Sequence, residues 1–164
     1  MSPDDRLLVI WRHADAGEPI ADPALDLRRE LSRKGRRQAR LTAQWLRRHL
    51  PETFRLITSP APRAMQTACE LAQPEPEDAL LPGACVQQAL DRRFERLAPV
   101  VVLVGHQPQL GGLVQAYLDP VRAPGVSALS VRKSTAWCLR LRGMPKDGSV
   151  RVQVVGVFDP AFAQ

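Results

Sequence analysis

The sequence predicts an α/β sandwich whose sheet is mostly parallel with antiparallel edge strands, and three observations predict it. Three short apolar runs are each followed by a stretch of helical periodicity, the strand-then-helix pattern of parallel sheets. The last third of the chain is β-like, with no helix between its two strands. The length of 164 residues, with 45% apolar and 24% charged residues, is ordinary for one globular domain, taken here as 1–164.

In chain order, Leu7 to Trp11 is a continuous apolar run, as in a strand covered on both faces. A polar loop follows from about Asp15 to Glu30. Ser32 then caps a long helix through about Leu50, with Ala39, Ala43, Leu46 and Leu50 at three- and four-residue steps and Pro51 at its end. Arg55 to Ser59 reads as a second strand. Pro60 and Pro62 suit a helix entrance, and Ala64, Thr67, Ala68 and Leu71 supply that helix's buried face. Gln73 to Asp78 reads as a loop and Gln87 to Leu97 as a helix. Val100 to Val104 is the strongest strand signal, closed by Gly105-His106, and Leu110 to Leu118 restarts a helix. Pro120 to Gly125 is a loop. Thr135 to Leu141 and Val150 to Phe158 form a hairpin turned by Gly143 to Gly148.

Composition narrows the classes. No apolar run approaches the ~18 residues of a membrane span, and the first residues lack a secretory pattern, so a cytoplasmic protein with no membrane partner is expected. The net charge of +6 comes from 23 basic and 17 acidic residues and favours an anionic substrate or an acidic partner surface. Aromatics at 5% and the lack of any nucleic-acid motif argue against a nucleic-acid partner. Cys69, Cys85 and Cys138 are scattered without a CxxC pair, so neither a metal site nor a disulfide is expected, and Cys69 and Cys138 read as core fillers.

The chemistry sits at the ends of the three parallel strands: Arg12-His13, then Ser59-Pro60 leading to Arg63, then Gly105-His106. Ligands of open α/β sheets bind outside the carboxyl ends of strands, so these residues face one crevice. Two arginines and two histidines there suit a tetrahedral dianion. Guanidinium forks match phosphoryl oxygens, and a neutral imidazole is a competent nucleophile toward phosphorus near pH 7. One histidine attacks while the other donates a hydrogen bond to a phosphoryl oxygen.

Leu8-Val9-Ile10-Trp11-Arg12-His13-Ala14-Asp15-Ala16, Leu31-Ser32-Arg33-Lys34-Gly35, Thr58-Ser59-Pro60-Ala61-Pro62-Arg63-Ala64-Met65-Gln66-Thr67-Ala68 and Val104-Gly105-His106-Gln107-Pro108 resemble, in order, the motifs of the histidine phosphatase superfamily, also called phosphoglycerate-mutase-like. The short chain and the Arg-His-x-Asp-Ala opening resemble the SixA phosphohistidine phosphatases within it. The resemblance spans about residues 7–118 and implies a three-layer α/β/α sandwich, His13 as nucleophile, Arg12 and Arg63 as phosphoryl clamps and His106 as the second pocket histidine. Ala14, Asp15 and Gln107, within the same motifs, are the candidate substrate-binding residues. No metal or cofactor is implied.

Two departures stand out. Ala14 replaces the family's usual glycine, which tolerates positive φ where alanine does not. The glutamate that larger relatives place between the second arginine and second histidine has no counterpart in Leu81 to Gln88. An alkoxide needs a proton donor to leave and an imidazole needs less help, so the expected substrate is phosphohistidine on a phosphotransfer protein. The alternatives are a small-molecule phosphomonoesterase using Asp15 as acid, and a catalytically silent phosphate- or phosphoprotein-binding module. A monomer or weak dimer is expected.

Plainer readings stand beside these. A strand-end histidine alone is more often structural, Arg63 can pair with Glu70, and Asp15 can be a turn-former. His49 reads as a surface residue near its helix's terminal carbonyls, and Gly111-Gly112 as close packing. Arg33, Arg36, Arg37, Arg40, Arg47 and Arg48 make a basic stripe, read first as a solvated face and otherwise as a dock for an acidic protein or, as a third rival, for nucleic acid.

Overall fold

The computed structural model describes residues 5–119, 129–143 and 151–163. Its strands are β1 (Arg6–Arg12), β2 (Arg55–Thr58), β3 (Glu75–Pro76), β4 (Val100–Gly105), β5 (Ala136–Arg142) and β6 (Arg151–Phe158). The helices are α1 (Pro23–Leu27), α2 (Arg33–His49), α3 (Pro62–Cys69), α4 (Val86–Asp91) and α5 (Gln109–Leu118). The sheet order is β3-β2-β4-β1-β5-β6. β1, β2, β3 and β4 run parallel, while β5 and β6 join antiparallel on the β1 side.

Strand residues alternate between two cores, and this makes the three layers. Val9, Trp11, Leu56, Val102 and Val104 pack with Ala43 and Leu46 of α2 and Ala64 and Ala68 of α3. Leu8, Ile10, Ile57, Val101 and Leu103 point the other way, into Val86 and Ala89 of α4 and Leu110, Leu113 and Val114 of α5. Every residue of β4 is buried, as a central strand covered on both faces requires. Gly112 meets Val86, and a Cβ there would lie 2.4 Å from the Val86 side chain, so the Gly111-Gly112 pair does serve close packing.

Four readings of the sequence change. The 15–30 loop contains α1, capped by the Asp22 carboxylate, which accepts from the N–H groups of Ala24 and Leu25. The 73–78 loop contains β3, paired to Ile57 and Thr58. The helix expected over 87–97 ends at Asp91: Arg93 takes φ 49°, and a 3₁₀ turn over Phe94–Arg96 buries Phe94 in the core. Cys69 is exposed rather than a core filler, because Ala64, Thr67 and Ala68 take α3's inner face; Cys138 is buried, and burial pushes its thiol up to about 12. The Pro120 to Gly125 loop and most of the 143–148 turn lie outside the described residues. Among those described, no helix is long and apolar enough to cross a membrane.

Candidate active site

Register brings three strand ends to one edge. Arg12 lies opposite Gly105, and Thr58 opposite Val104. The ladder runs one residue further, with the His13 N–H donating to the Gly105 carbonyl at 3.0 Å and the Ser59 N–H to the Val104 carbonyl at 2.9 Å. His13, Ser59 and His106 therefore leave the sheet side by side. The two imidazole rings lie with centroids 4.9 Å apart, tilted by 51°.

The ring of His13 is oriented by its own chain. Nδ1 lies 2.7 Å from the Ala14 carbonyl, an acceptor only, so Nδ1 carries the proton and donates. Nε2 is left with a lone pair. Burial lowers the His13 pKa to about 3; the bond to Ala14 opposes this, and Arg63, Arg12 and Arg29 reinforce it. Burial, then His13, Arg63 and Arg12, lower His106 to about 2. Both rings are neutral near pH 7.

Two guanidinium groups share this space, and each is fixed from behind. Arg12 donates through Nη1 to the Val131 carbonyl at 2.8 Å. Arg63, 4% exposed, sits in the first turn of α3, donates through Nη1 to the Asp26 carbonyl at 2.8 Å and has Nη2 3.5 Å from the Asp26 carboxylate. Glu70, the partner considered from sequence, pairs with Arg40 instead. Arg12 Nε, Arg63 Nε and His106 Nδ1 are buried with no hydrogen-bond partner among the described residues. Buried guanidinium N–H groups without a partner are costly, and two of them beside two neutral imidazoles suit an anion.

The remaining predicted residues lie elsewhere in the network. Ala14 is fully buried, donates its N–H to Thr67 Oγ1 at 3.0 Å, and is not among the residues of positive φ, so its methyl forces no strain. Asp15 accepts from Lys133 Nζ at 2.6 Å, from Ser32 Oγ at 2.7 Å and from the Gly17 N–H at 3.2 Å. Burial alone would raise its carboxyl, but these bonds outweigh burial and hold it at about 2. Gln107 tethers residues 129–131, donating to the Leu129 carbonyl at 2.9 Å and accepting from the Val131 N–H at 3.3 Å. His49 bonds the Trp45 carbonyl at 2.7 Å on the surface.

Sequence reasoning missed Ser59 as the partner of His106 Nε2 at 2.9 Å, Thr67 as the anchor of Ala14, and Arg29, which donates to the carbonyls of Ala16 and Gly17 and pairs with Asp26 at 2.7 Å. Only the Ser-Pro and Gln-Thr-Ala stretches of the third motif hinted at the first two. Among the described residues no three His, Cys, Asp or Glu side chains gather as a metal-binding group. A separate groove of about 460 Å³ over β5 and β6, lined in part by Trp137, Phe158 and Phe162, holds none of the four pocket residues.

Fold and site together define an α/β protein with a cationic, imidazole-bearing pocket at the carboxyl ends of its parallel strands. The family model for the histidine phosphatase superfamily (branch 1) matches residues 8–80. A solved structure assigned as the phosphohistidine phosphatase SixA of Nakamurella multipartitia is 29% identical, with TM-score 0.69 over 94% of this chain and 95% of that one. The protein histidine phosphatase SixA complexed with tungstate shares the fold at 24% identity, with TM-score 0.73 over 96% and 99% of the two chains. A phosphoserine phosphatase of Entamoeba histolytica shares it at 13% identity, with TM-score 0.66 over 93% and 96%. No curated protein matches the chain. The chain is thus similar to the histidine phosphatase superfamily over residues 8–80 and has the α/β fold of phosphoglycerate-mutase-like structures.

Proposed function

We propose that this protein is a phosphatase that works through a covalent phosphohistidine at His13 Nε2 and acts on phosphohistidine carried by a protein. The observation that carries the reading is the Nδ1–H bond to the Ala14 carbonyl, which leaves Nε2 unprotonated in the field of Arg12 and Arg63. The SixA relative solved with tungstate, a tetrahedral oxyanion shaped like phosphate, supports it.

In the first step the Nε2 lone pair attacks phosphorus and a new P–N bond forms. The bond from phosphorus to the substrate imidazole breaks, and the leaving nitrogen keeps the electron pair and takes a proton from solvent. Arg12, Arg63 and the Nδ1–H of His106 hold the three equatorial oxygens as charge spreads over them. In the second step water attacks the phosphohistidine, the P–N pair returns to Nε2, and inorganic phosphate leaves with the oxygen from water. Positioned neutral imidazole and fixed guanidinium groups supply the catalysis, and no step uses a metal.

Asp15 bears on the choice of substrate. A carboxylate held at about 2 and occupied by Lys133 and Ser32 is a poor proton donor to an alkoxide. This favours a phosphoramidate over an alkyl phosphate, whether that phosphate is a small ester or not. The test is a phosphoenzyme trap. Wild-type protein mixed with a radiolabelled phosphoramidate is expected to retain an acid-labile, base-stable label, and His13→Ala is expected to retain none. Unlabelled wild type that still binds phosphate would make the protein a silent binding module; faster turnover of alkyl phosphates than of phosphoramidates would overturn the protein-substrate reading.

A further inference from the structure

We propose that the first turns of α2 form a docking surface for an acidic face of a partner protein; in taking that partner to be the phosphohistidine carrier, the inference rests on the function proposed above. Arg33, Lys34, Arg36, Arg37 and Arg40 are all exposed and line one open concavity of about 760 Å³. Arg36 and Arg40 have Glu30 and Glu70 at 3.3 Å, both as exposed surface pairs. Arg33, Lys34 and Arg37 have no ion pair among the described residues.

The placement runs against what helix stability favours. The amino end of a helix carries a partial positive charge and prefers acidic side chains, whereas α2 has none in its first turn and four cations within its first five residues. Arg47, Arg48 and His49 in its last turn are in the favourable position. The stripe that reads as one feature in sequence therefore has two parts, one ordinary and one opposed to its own helix. An acidic partner relieves that opposition, and arginine forks receive carboxylates in a fixed geometry.

The turns that carry the patch are tied to the pocket segment through their inward side. The Ser32 N–H donates to the Asp15 carbonyl at 3.0 Å, and the Asp15 N–H donates to Gln38 Oε1 at 3.1 Å. Gly35 packs so closely on the Asp15 backbone that a Cβ there would lie 1.9 Å from its carbonyl oxygen. The first turns of α2 are thus braced through Ser32, Gly35 and Gln38 on the residues that follow His13, while the cations lie on the exposed side of the same turns. The lining has no aromatic side chain on which bases could stack, which favours carboxylates over single-stranded nucleic acid.

The experiment uses the full chain and a fluorescent Glu/Asp-rich peptide, with a neutral Ser/Gln peptide and a short single-stranded oligonucleotide as controls. Anisotropy is read at low and near-physiological salt. Acidic-peptide affinity is expected to fall about tenfold in Arg33→Glu/Arg37→Glu, to survive largely in Arg33→Lys/Arg37→Lys, and to weaken with salt. Equal binding by the charge-reversed protein, or tighter binding of the oligonucleotide than of the acidic peptide, overturns the surface. In a second arm, kcat/KM of the reversed variant is expected to fall about tenfold for phosphohistidine within an acidic peptide and to stay level for free phosphohistidine. Peptide binding by a wild type that hydrolyses neither substrate would sink the phosphatase reading while leaving the surface standing.

Discussion

Ser59 carries the hydroxyl that faces His106 Nε2. Its oxygen accepts from the Ala61 N–H at 3.3 Å and lies 2.9 Å from Nε2. When its O–H donates to Nε2, the His106 proton sits on Nδ1, the buried nitrogen with no partner among the described residues. Ser59→Ala removes the constraint and lets the ring spend time with Nδ1 unprotonated. The loss of one neutral hydrogen bond corresponds to about 0.5–1.5 kcal/mol, so kcat is expected to fall roughly two- to tenfold while KM for the phosphorylated substrate changes little. Ser59→Thr restores most of the rate, and steady-state kinetics of the three proteins checks it; an unchanged kcat in the alanine variant would remove Ser59 from the machinery. The convergence of Arg12, His13, Arg63 and His106 was legible in the sequence because each follows a parallel strand, and such strands end at one edge of the sheet. Ser59, Thr67 and Lys133 were not, since each acts through a partner 47 to 118 residues away, and nothing local to them records the pairing.

At the scale of elements, α2 does two jobs through one glycine. Its helical periodicity and Ser32 cap were plain in the sequence, and the helix runs over Arg33–His49 as that pattern requires. Gly35 has no periodicity to explain it; only the fold shows that it admits the Asp15 backbone to the helix surface. Gly35→Ala is expected to destabilise the protein despite alanine's better helix propensity, because overpacking costs about 1–3 kcal/mol against about 1 gained. The displaced 13–15 segment should also lower turnover, so urea unfolding and kcat fall together; a more stable variant would show that the segment yields freely. Arg33→Glu is expected to act in the opposite sense on stability, raising it by about 0.3–1 kcal/mol as the helix end gains a favourable charge. Where elements were misread, the pattern was too short to speak: β3 has two residues, α1 has five, and the 87–97 helix is broken by a left-handed Arg93 that periodicity does not foretell.

Across the whole molecule, burying two histidines beside arginines makes folding itself depend on pH. In the unfolded chain each histidine titrates near 6.5, whereas in the fold burial holds His13 at about 3 and His106 at about 2. Between these values the unfolded chain binds more protons than the folded one, so stability falls as pH falls. Above pH 6.5 both states are neutral at these positions and the dependence vanishes. Each histidine contributes at most about 1.4 kcal/mol per pH unit inside the window. Asp15, whose carboxyl is lowered to about 2, loses its stabilisation only as pH drops below the ordinary carboxylate range, so the interval from about pH 4.5 to 6.5 isolates the histidines. Urea unfolding across that interval is expected to show a positive slope of ΔG with pH in the wild type. His106→Gln, which cannot take up a proton in either state, is expected to remove one histidine's share of that slope. Parallel lines for the two proteins would mean that His106 is protonated as readily in the fold as in water, and the neutral pair at the sheet edge would then be wrong.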